Sequence, residues 1–337
     1  MDGPQTLAPI FARKGSYLFL AHLHPDGDVL GSMLGLGLAL MGQGRRVTLA
    51  GPHPVPEPYR FLPGAHWIQQ WKDASGSYDV TVLLDCPDPA RTGGLLEAVR
   101  ERGTTVVNID HHQDNRRFGD LNWVDLSASA TGEMVYDLLQ HFGWSLTPEI
   151  ATTLYTALVT DTGSFRYSNA SPKAFRIAAH LVAEGAAPAR VAGELYEGRS
   201  HENLRLLGQL LQRIETSADG RVAWLVLPSE LAGNQDLIEA EDFIAYPRSI
   251  RSVKVALLFR ELQPGQVKVS LRGKGEVNVA KIAARFGGGG HPNAAGCTVT
   301  LPMDAAKAAL LDAVAHALLQ HNEASPQGKN LGGGPGD

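Results

Sequence analysis

The acid and two imidazoles of Asp110-His111-His112 follow directly on the apolar run Thr104–Ile109. Such a run reads as a strand buried on both faces, and a chain leaving it passes from core to cleft. In open α/β sheets, ligands bind outside the carboxyl ends of the strands. Side chains of these types at that point are metal ligands, acid/base groups, or both. Further segments carry the same chemistry. His22-Leu23-His24-Pro25-Asp26-Gly27-Asp28 follows the apolar run Tyr17–Ala21, and its Pro and Gly keep it a loop whose side chains can converge. Asp85 ends Val80–Leu84, and Asp161 ends the helix-like run Leu154–Thr160. Taken singly, an Asp after a strand is more often a turn or cap residue than a ligand. Taken together, His22, Asp26 and Asp28 with the other acids and imidazoles form a set without thiolate that suits Mn²⁺ or a related divalent ion. The ligand count matches two ions sharing one carboxylate, and two metals ~3.5–4 Å apart are the usual means of hydrolysing phosphate esters.

The elements that must position these groups alternate in the first part of the chain. Strand patterns at Tyr17–Ala21, Arg46–Ala50, Val80–Leu84 and Thr104–Ile109 are separated by helical ones such as Val29–Met41, with a short strand at Asn122–Val124. This alternation predicts βαβ units and a parallel sheet. From Ala130 to Ile214 the period is helical, with Pro148, Pro172 and Pro188 at helix starts or breaks, and His201–Ile214 reads as a crossing helix between domains. The second part reads as α+β. It has a strand at Arg221–Leu227, a hairpin of Lys254–Glu261 and Gln266–Arg272 around Gln263-Pro264-Gly265, and a helix over Val277–Phe286. A glycine loop, a strand at Cys297–Leu301 and an Ala-rich helix over Met303–Leu319 follow. The expected organisation is an α/β catalytic domain over 1–195, a helical linker over 196–219, a smaller α+β domain over 220–322 and a disordered Gly-, Pro- and Ser-rich tail over 323–337.

Composition narrows the function classes. With 337 residues, 44% hydrophobic and 19% charged, the chain is long enough for two domains with ample core. A net charge of −5 argues against a protein that coats duplex nucleic acid, but not against a short nucleotide held by a few local cations. Cys86 and Cys297 form no CxxC pair, so neither a zinc site nor a disulfide framework is expected and a reduced, cytoplasmic setting fits. No run reaches the ~18 apolar residues of a membrane span, and no basic start followed by an apolar run suggests a signal peptide.

The segments His22–Asp28, Leu84-Asp85, Asp110-His111-His112 and Thr160-Asp161-Thr162-Gly163 resemble the four motifs of the DHH phosphoesterase superfamily. Phe286-Gly287-Gly288-Gly289-Gly290-His291-Pro292-Asn293-Ala294-Ala295-Gly296 resembles the glycine motif of the DHH-associated substrate domain. The stretch Asp161–Arg166, and Asn115 five residues after Asp110, fit the branch of bacterial nanoRNases, oligoribonucleases and pAp phosphatases, which also includes hydrolases of cyclic di-AMP and linear dinucleotides. The resemblance implies a parallel-sheet catalytic domain joined by a helical linker to a smaller substrate domain. It implies two Mn²⁺ (Mg²⁺ or Co²⁺ as substitutes): one held by His22, Asp26 and Asp85, the other by Asp28, Asp85, His111 and Asp161. His112 would face the scissile phosphate, and Asp110 would orient the neighbouring imidazoles. His24, where the family commonly has Asn, reads as a supporting or bland residue rather than a ligand.

Residues 248–285 hold nine Lys or Arg against two Glu, by default a solvated face. Arg272 is the best candidate to grip a terminal phosphate bidentately, with Lys274 next. Gly288, Gly289 and Gly290 can bring backbone N–H groups close to a phosphate or sugar, and His291 adds a donor. Arg116 and Arg117, after the acid–imidazole triplet, read equally as substrate contacts or plain surface. The implied substrates are short RNA or DNA oligonucleotides, pApA, cyclic di-AMP and pAp, with no membrane partner and a homodimeric state. The rival readings are a family II-type pyrophosphatase, whose second domain carries a different Ser-Arg-Lys signature, and a non-catalytic nucleotide or RNA sensor.

Overall fold

The structure, a computed structural model, describes residues 3–13, 15–71, 75–198, 200–227, 243–275 and 277–324. The chain divides into two compact units, Met1–His201 and Glu202–Asp337.

In the first unit the strands β1 (Ser16–Leu20), β2 (Arg46–Gly51), β3 (Ile68–Gln70), β4 (Val80–Leu84), β5 (Thr105–Asp110) and β6 (Leu121–Val124) form one sheet in the order β3-β2-β1-β4-β5-β6. Every pairing is parallel. Strands β1 and β4 are buried at every residue, as parallel strands covered on both faces must be. The order reverses between β1 and β4, and this topological switch point is where open α/β sheets bind ligands. His22 follows β1 and Asp85 follows β4, so each flanks that point. The short β3 has no counterpart among the predicted strands. Nor does the helix α1 (Pro4–Phe11), on whose Ile10 carbonyl the Tyr17 hydroxyl is anchored at 2.8 Å.

Helices α2 (Gly27–Gly42), α3 (Leu95–Arg100), α4 (Thr131–Phe142), α5 (Pro148–Asp161), α6 (Pro172–Ala183) and α7 (Pro188–Tyr196) complete the unit. Helices α2 and α5 cross closely because small residues line the contact. A Cβ added at Gly27 would meet Thr160 Cγ2 at 2.4 Å, one at Gly31 the Thr153 carbonyl oxygen at 2.4 Å, and one at Gly35 Leu154 Cδ2 at 2.6 Å. On α4, a Cβ at Gly132 would meet the Ala157 methyl at 2.5 Å. These approaches hold Asp28 on α2, Thr131 on α4 and Asp161 on α5 in one neighbourhood. Gly31→Val is therefore expected to destabilise the unit by about 1–3 kcal/mol, since backbone cannot yield cheaply to an overpacked methyl. Urea denaturation with an unchanged m-value would register that loss.

In the second unit β7 (Glu215–Thr216), β8 (Val222–Leu227), β9 (Val255–Gln263), β10 (Gln266–Gly273), β11 (Gly289–His291) and β12 (Ala294–Val299) form a sheet in the order β11-β12-β10-β9-β8-β7. Only the β8–β9 pairing in it is parallel among the described residues. Alternate residues of β9 serve two cores. Val255, Leu257 and Phe259 pack with α10 (Val279–Ala284) and α11 (Met303–Ala324), whereas Ala256 and Leu258 pack with Leu206, Leu207 and Leu210 of α8 (His201–Leu211) and with the region of α9 (Ala245–Ser249). The predicted hairpin is present. The glycine motif, read as a loop, contributes the edge strand β11, and β12 begins at Ala294 rather than at Cys297. Residues 325–337, most of the expected tail, lie outside the described residues. Among the described residues no helix is long and apolar enough to cross a membrane.

Candidate active site

The candidate site is built on the carboxyl ends of β1, β4 and β5 and the ends of three helices. The Asp26 carboxylate caps α2, accepting from the backbone of Asp28 and Val29. Asp28 lies in the first turn of α2 yet faces the start of α4, where it accepts from the Thr131 and Gly132 backbone N–H groups at 2.7 and 2.9 Å, and from Ser32 Oγ at 3.1 Å. A helix N-terminus stabilises an anion in this way. Asp85 takes a left-handed backbone, φ 55°, costly for a residue with a Cβ. Its N–H donates to the Ile109 carbonyl at 3.0 Å, which pins it beside the end of β5. Asp161 ends α5, and Asn169 Nδ2 donates to its Oδ2 at 3.1 Å.

Each imidazole is held by its Nδ1. That of His22 meets the Leu23 carbonyl at 2.8 Å, that of His111 the Ala128 carbonyl at 3.0 Å, and that of His112 the Asp110 Oδ1 at 2.7 Å. A ring nitrogen fixed by a carbonyl carries the proton, which turns Nε2 toward the cluster as an acceptor or ligand. His111 Nε2 lies 3.5 Å from Asp28 Oδ2, 3.4 Å from Asp85 Oδ1 and 3.8 Å from Asp161 Oδ2. His22 Nε2 lies 3.8 Å from Asp85 Oδ2. Asp110 is fully buried and contacts His112 and the Asn115 side chain. His111 is thus oriented by a backbone carbonyl and not by Asp110.

Burial dominates the electrostatics. It pushes Asp28 well above the usual carboxylate range, with the Asp85 charge adding to it and His111 opposing. Asp161 is pushed up to about 7, by burial first and then by the Asp85 and Asp26 charges against the pull of His111. Burial would raise Asp85 too, but His112, His111 and His22 outweigh it and hold it well below the ordinary value. His111 rises well above an ordinary imidazole because the surrounding carboxylates overcome the burial that would lower it. The metal-free site therefore holds protons among closely spaced acids, which a cation can replace.

Ligand atoms of His22, Asp26 and Asp85 lie within 4.8 Å of one another, as do those of Asp28, His111 and Asp161. Asp85 belongs to the first group and lies 3.4 Å from His111 of the second. The donor set is imidazole nitrogen and carboxylate oxygen. Cys86, next in the chain to Asp85, is in neither group: its thiol donates to the Asp88 carbonyl at 3.3 Å, and burial pushes it up to about 12. These residues could hold hard or borderline divalent ions.

The other predicted positions have the following partners within their own units. Arg116 is largely exposed and pairs with Asp88 at 3.0 Å. In the second unit, Arg272 sits on β10 opposite Ala294, and its guanidinium donates to the Leu271 carbonyl at 3.1 Å. Lys274 Nζ donates to the Ile250 carbonyl at 2.7 Å. Gly289 and Gly290 pair with Gly296 and Ala295, and His291 with Ala294. Gly288 and Gly290 also have a packing reason. A Cβ at Gly288 would meet the Gly296 carbonyl at 2.1 Å, and one at Gly290, φ 133°, the Ala294 carbonyl at 2.6 Å. Sequence reasoning passed over Thr131, whose hydroxyl donates to Asp85 at 3.2 Å, along with Ser32, Asn169 and Arg91. Thr131 was legible only as a helix start, since its partner is 46 residues away in the chain.

The parallel sheet with an Asp/His cluster at its switch point, followed by a separate mixed-sheet unit, defines the class: the chain belongs to the DHH family. Residues 17–158 match the DHH family, N-terminal domain, and residues 233–320 match the DHHA1 domain. Among individual proteins, it is 37% identical over 306 residues to the bifunctional oligoribonuclease and PAP phosphatase NrnA of Thermus thermophilus, covering 90% of each chain. It is 28% identical over 285 residues to the protein of the same description from Bacillus subtilis, covering 82% of this chain and 87% of that one. The crystal structure of an exopolyphosphatase-related protein from Bacteroides fragilis matches with a TM-score of 0.83 at 26% identity, over 95% of this chain and 96% of that one.

Proposed function

We propose that this chain is a cytoplasmic, Mn²⁺-dependent phosphoesterase. It would degrade short oligonucleotides and linear or cyclic dinucleotides, among them nanoRNA, pApA and cyclic di-AMP, and remove the 3′-phosphate of pAp. The observation that carries the reading is the position of Asp85, whose carboxylate lies beside both groups of candidate ligands. The relatives described as oligoribonucleases and PAP phosphatases support the substrate class.

In this reading His22, Asp26 and Asp85 hold one ion, and Asp28, Asp85, His111 and Asp161 hold the other. Such a pair of divalent ions supplies an activated water and neutralises charge developing on a phosphoryl group. The chain's own contribution is positioning. The Thr131 and Gly132 amides fix Asp28, the Thr131 hydroxyl fixes Asp85, and the Ala128 carbonyl fixes His111. Asp110 holds His112 by Nδ1, so its Nε2 is the atom that donates to a phosphate oxygen or moves a proton. Arg272, Lys274, the Gly288–Gly290 backbone, His291 and Arg116 grip the nucleotide. A homodimer is part of this proposal.

The test is a panel. Metal-stripped protein, with and without added Mn²⁺, is incubated with an RNA trimer, pApA, cyclic di-AMP, pAp and pyrophosphate. Mn²⁺-dependent release of mononucleotides from the trimer and of phosphate from pAp is expected. Turnover of pyrophosphate alone would make the protein a pyrophosphatase, and no turnover of any nucleotide would leave only a binding role.

A further inference from the structure

Arg91 lies six residues beyond Asp85 in the chain, in the short 3₁₀ turn Pro89–Thr92. Its backbone carbonyl accepts from the Leu23 N–H at 2.6 Å, which ties the turn to the loop that carries His22. Its guanidinium lies against the His22 ring, with one nitrogen 3.4 Å from both Nδ1 and Nε2. Among the described residues no carboxylate lies within 4.0 Å of it. The neighbouring acid in the turn, Asp88, is engaged by Arg116 at 3.0 Å and by the Ala90 N–H.

The ring cannot satisfy this half-buried cation. His22 Nδ1 spends its proton on the Leu23 carbonyl at 2.8 Å and so is no acceptor. Its Nε2 has the one remaining lone pair and faces Asp85. If that lone pair goes to an ion, the guanidinium is left with no acceptor on the protein and with a dication nearby. A partly buried cation beside a dication favours an anion as its partner. Two divalent ions and a planar guanidinium side by side suit an anion with several oxygen acceptors, and a phosphoryl group is of that kind. A planar guanidinium also presents paired N–H groups at the spacing of two phosphate oxygens.

We propose that Arg91 is a substrate-binding residue that takes non-bridging oxygens of the reacting phosphate beside the His22 ligand site. This rests on the assignment of His22 and Asp85 as metal ligands in the preceding reading. The probe is inorganic phosphate, titrated calorimetrically into Mn²⁺-loaded protein, with Mn²⁺ affinity measured on the same preparations. Arg91→Ala is expected to weaken phosphate binding about 10- to 100-fold, the range for a charge-assisted hydrogen bond, while leaving Mn²⁺ affinity within about threefold. Arg91→Lys, which keeps the charge but not the fork, should recover part of the loss, and it replaces the Ala variant if that one does not fold. Unchanged phosphate affinity would overturn the proposal. So would a parallel loss of Mn²⁺ affinity, because Arg91 would then act only by positioning His22. Protein that hydrolyses no nucleotide yet binds phosphate through Arg91 would sink the phosphodiesterase reading and leave this one standing.

Discussion

Asp85→Asn is expected to lower kcat on an RNA trimer by roughly 10³-fold or more, the scale seen when a group that stabilises transition-state charge is removed. No other side chain in the site has as many imidazole neighbours. Asp85 lies 3.8 Å from His22, 3.4 Å from His111 and 3.5 Å from His112, and it is reached by the Thr131 hydroxyl. An amide of the same size keeps the packing at the end of β4 but cannot carry the negative charge that both ligand groups share. The fold should survive, because the Asp85 backbone bond to Ile109 does not involve the side chain. Circular dichroism and a cooperative melt check this. The stability profile gives a second readout. A carboxylate held below its ordinary pKa contributes stability that is present at neutral pH and lost as pH falls through the depressed value. Metal-free Asp85→Asn should lack that contribution. Substantial retained turnover would remove Asp85 from its proposed bridging role. Asp110→Asn should cost less, about 10- to 100-fold, as for a group that orients a neighbour.

Removing the metal should take activity to background, and Mn²⁺ should restore it with release of protons. The sign follows from the metal-free site. Asp161 is pushed up to about 7, Asp28 lies well above its ordinary value, and His111 is raised well above an ordinary imidazole. Asp161 and His111 hold protons near neutrality that a metal ion must displace. Mn²⁺ affinity should therefore rise with pH through the region around 7 and weaken below it, by up to about tenfold per pH unit for each proton displaced. Calorimetric titration of Mn²⁺ in two buffers of different ionisation enthalpy counts the protons released. A count of zero at pH 7 would show that the ion does not enter among these side chains.

Much of the framework was legible because burial leaves a direct mark on composition. Strands β1, β4 and β5 are covered on both faces, so their sequences are near-continuous apolar runs, and the acids and imidazoles that follow them stand out by contrast. The hairpin of β9 and β10 was equally plain from its Pro-Gly turn between two apolar runs. Elements that owe their existence to a partner were less visible. Strand β3 is only Ile-Gln-Gln and is a strand because it pairs with Leu49–Gly51 of β2. Strand β11 is made of glycines and a histidine, with no β-propensity to announce it, and is held by its ladder to Gly296, Ala295 and Ala294.

Residue type and spacing alone established that the chain carries a carboxylate–imidazole set at the ends of parallel strands, and a glycine-histidine motif in a second domain. Those are local properties, carried by each segment's own composition. Only the tertiary structure decided how the set is tuned. It placed β1 beside β4 across the reversal in strand order, set Asp28 on the amides of a helix that begins over 100 residues later, and gave His111 a carbonyl and His112 a carboxylate. It also laid Arg91 on the His22 ring. The physical reason is range. A hydrogen bond or a buried charge acts over a few ångströms of space, and no local pattern records which distant residues the close crossing of α2 and α5 will bring within that reach.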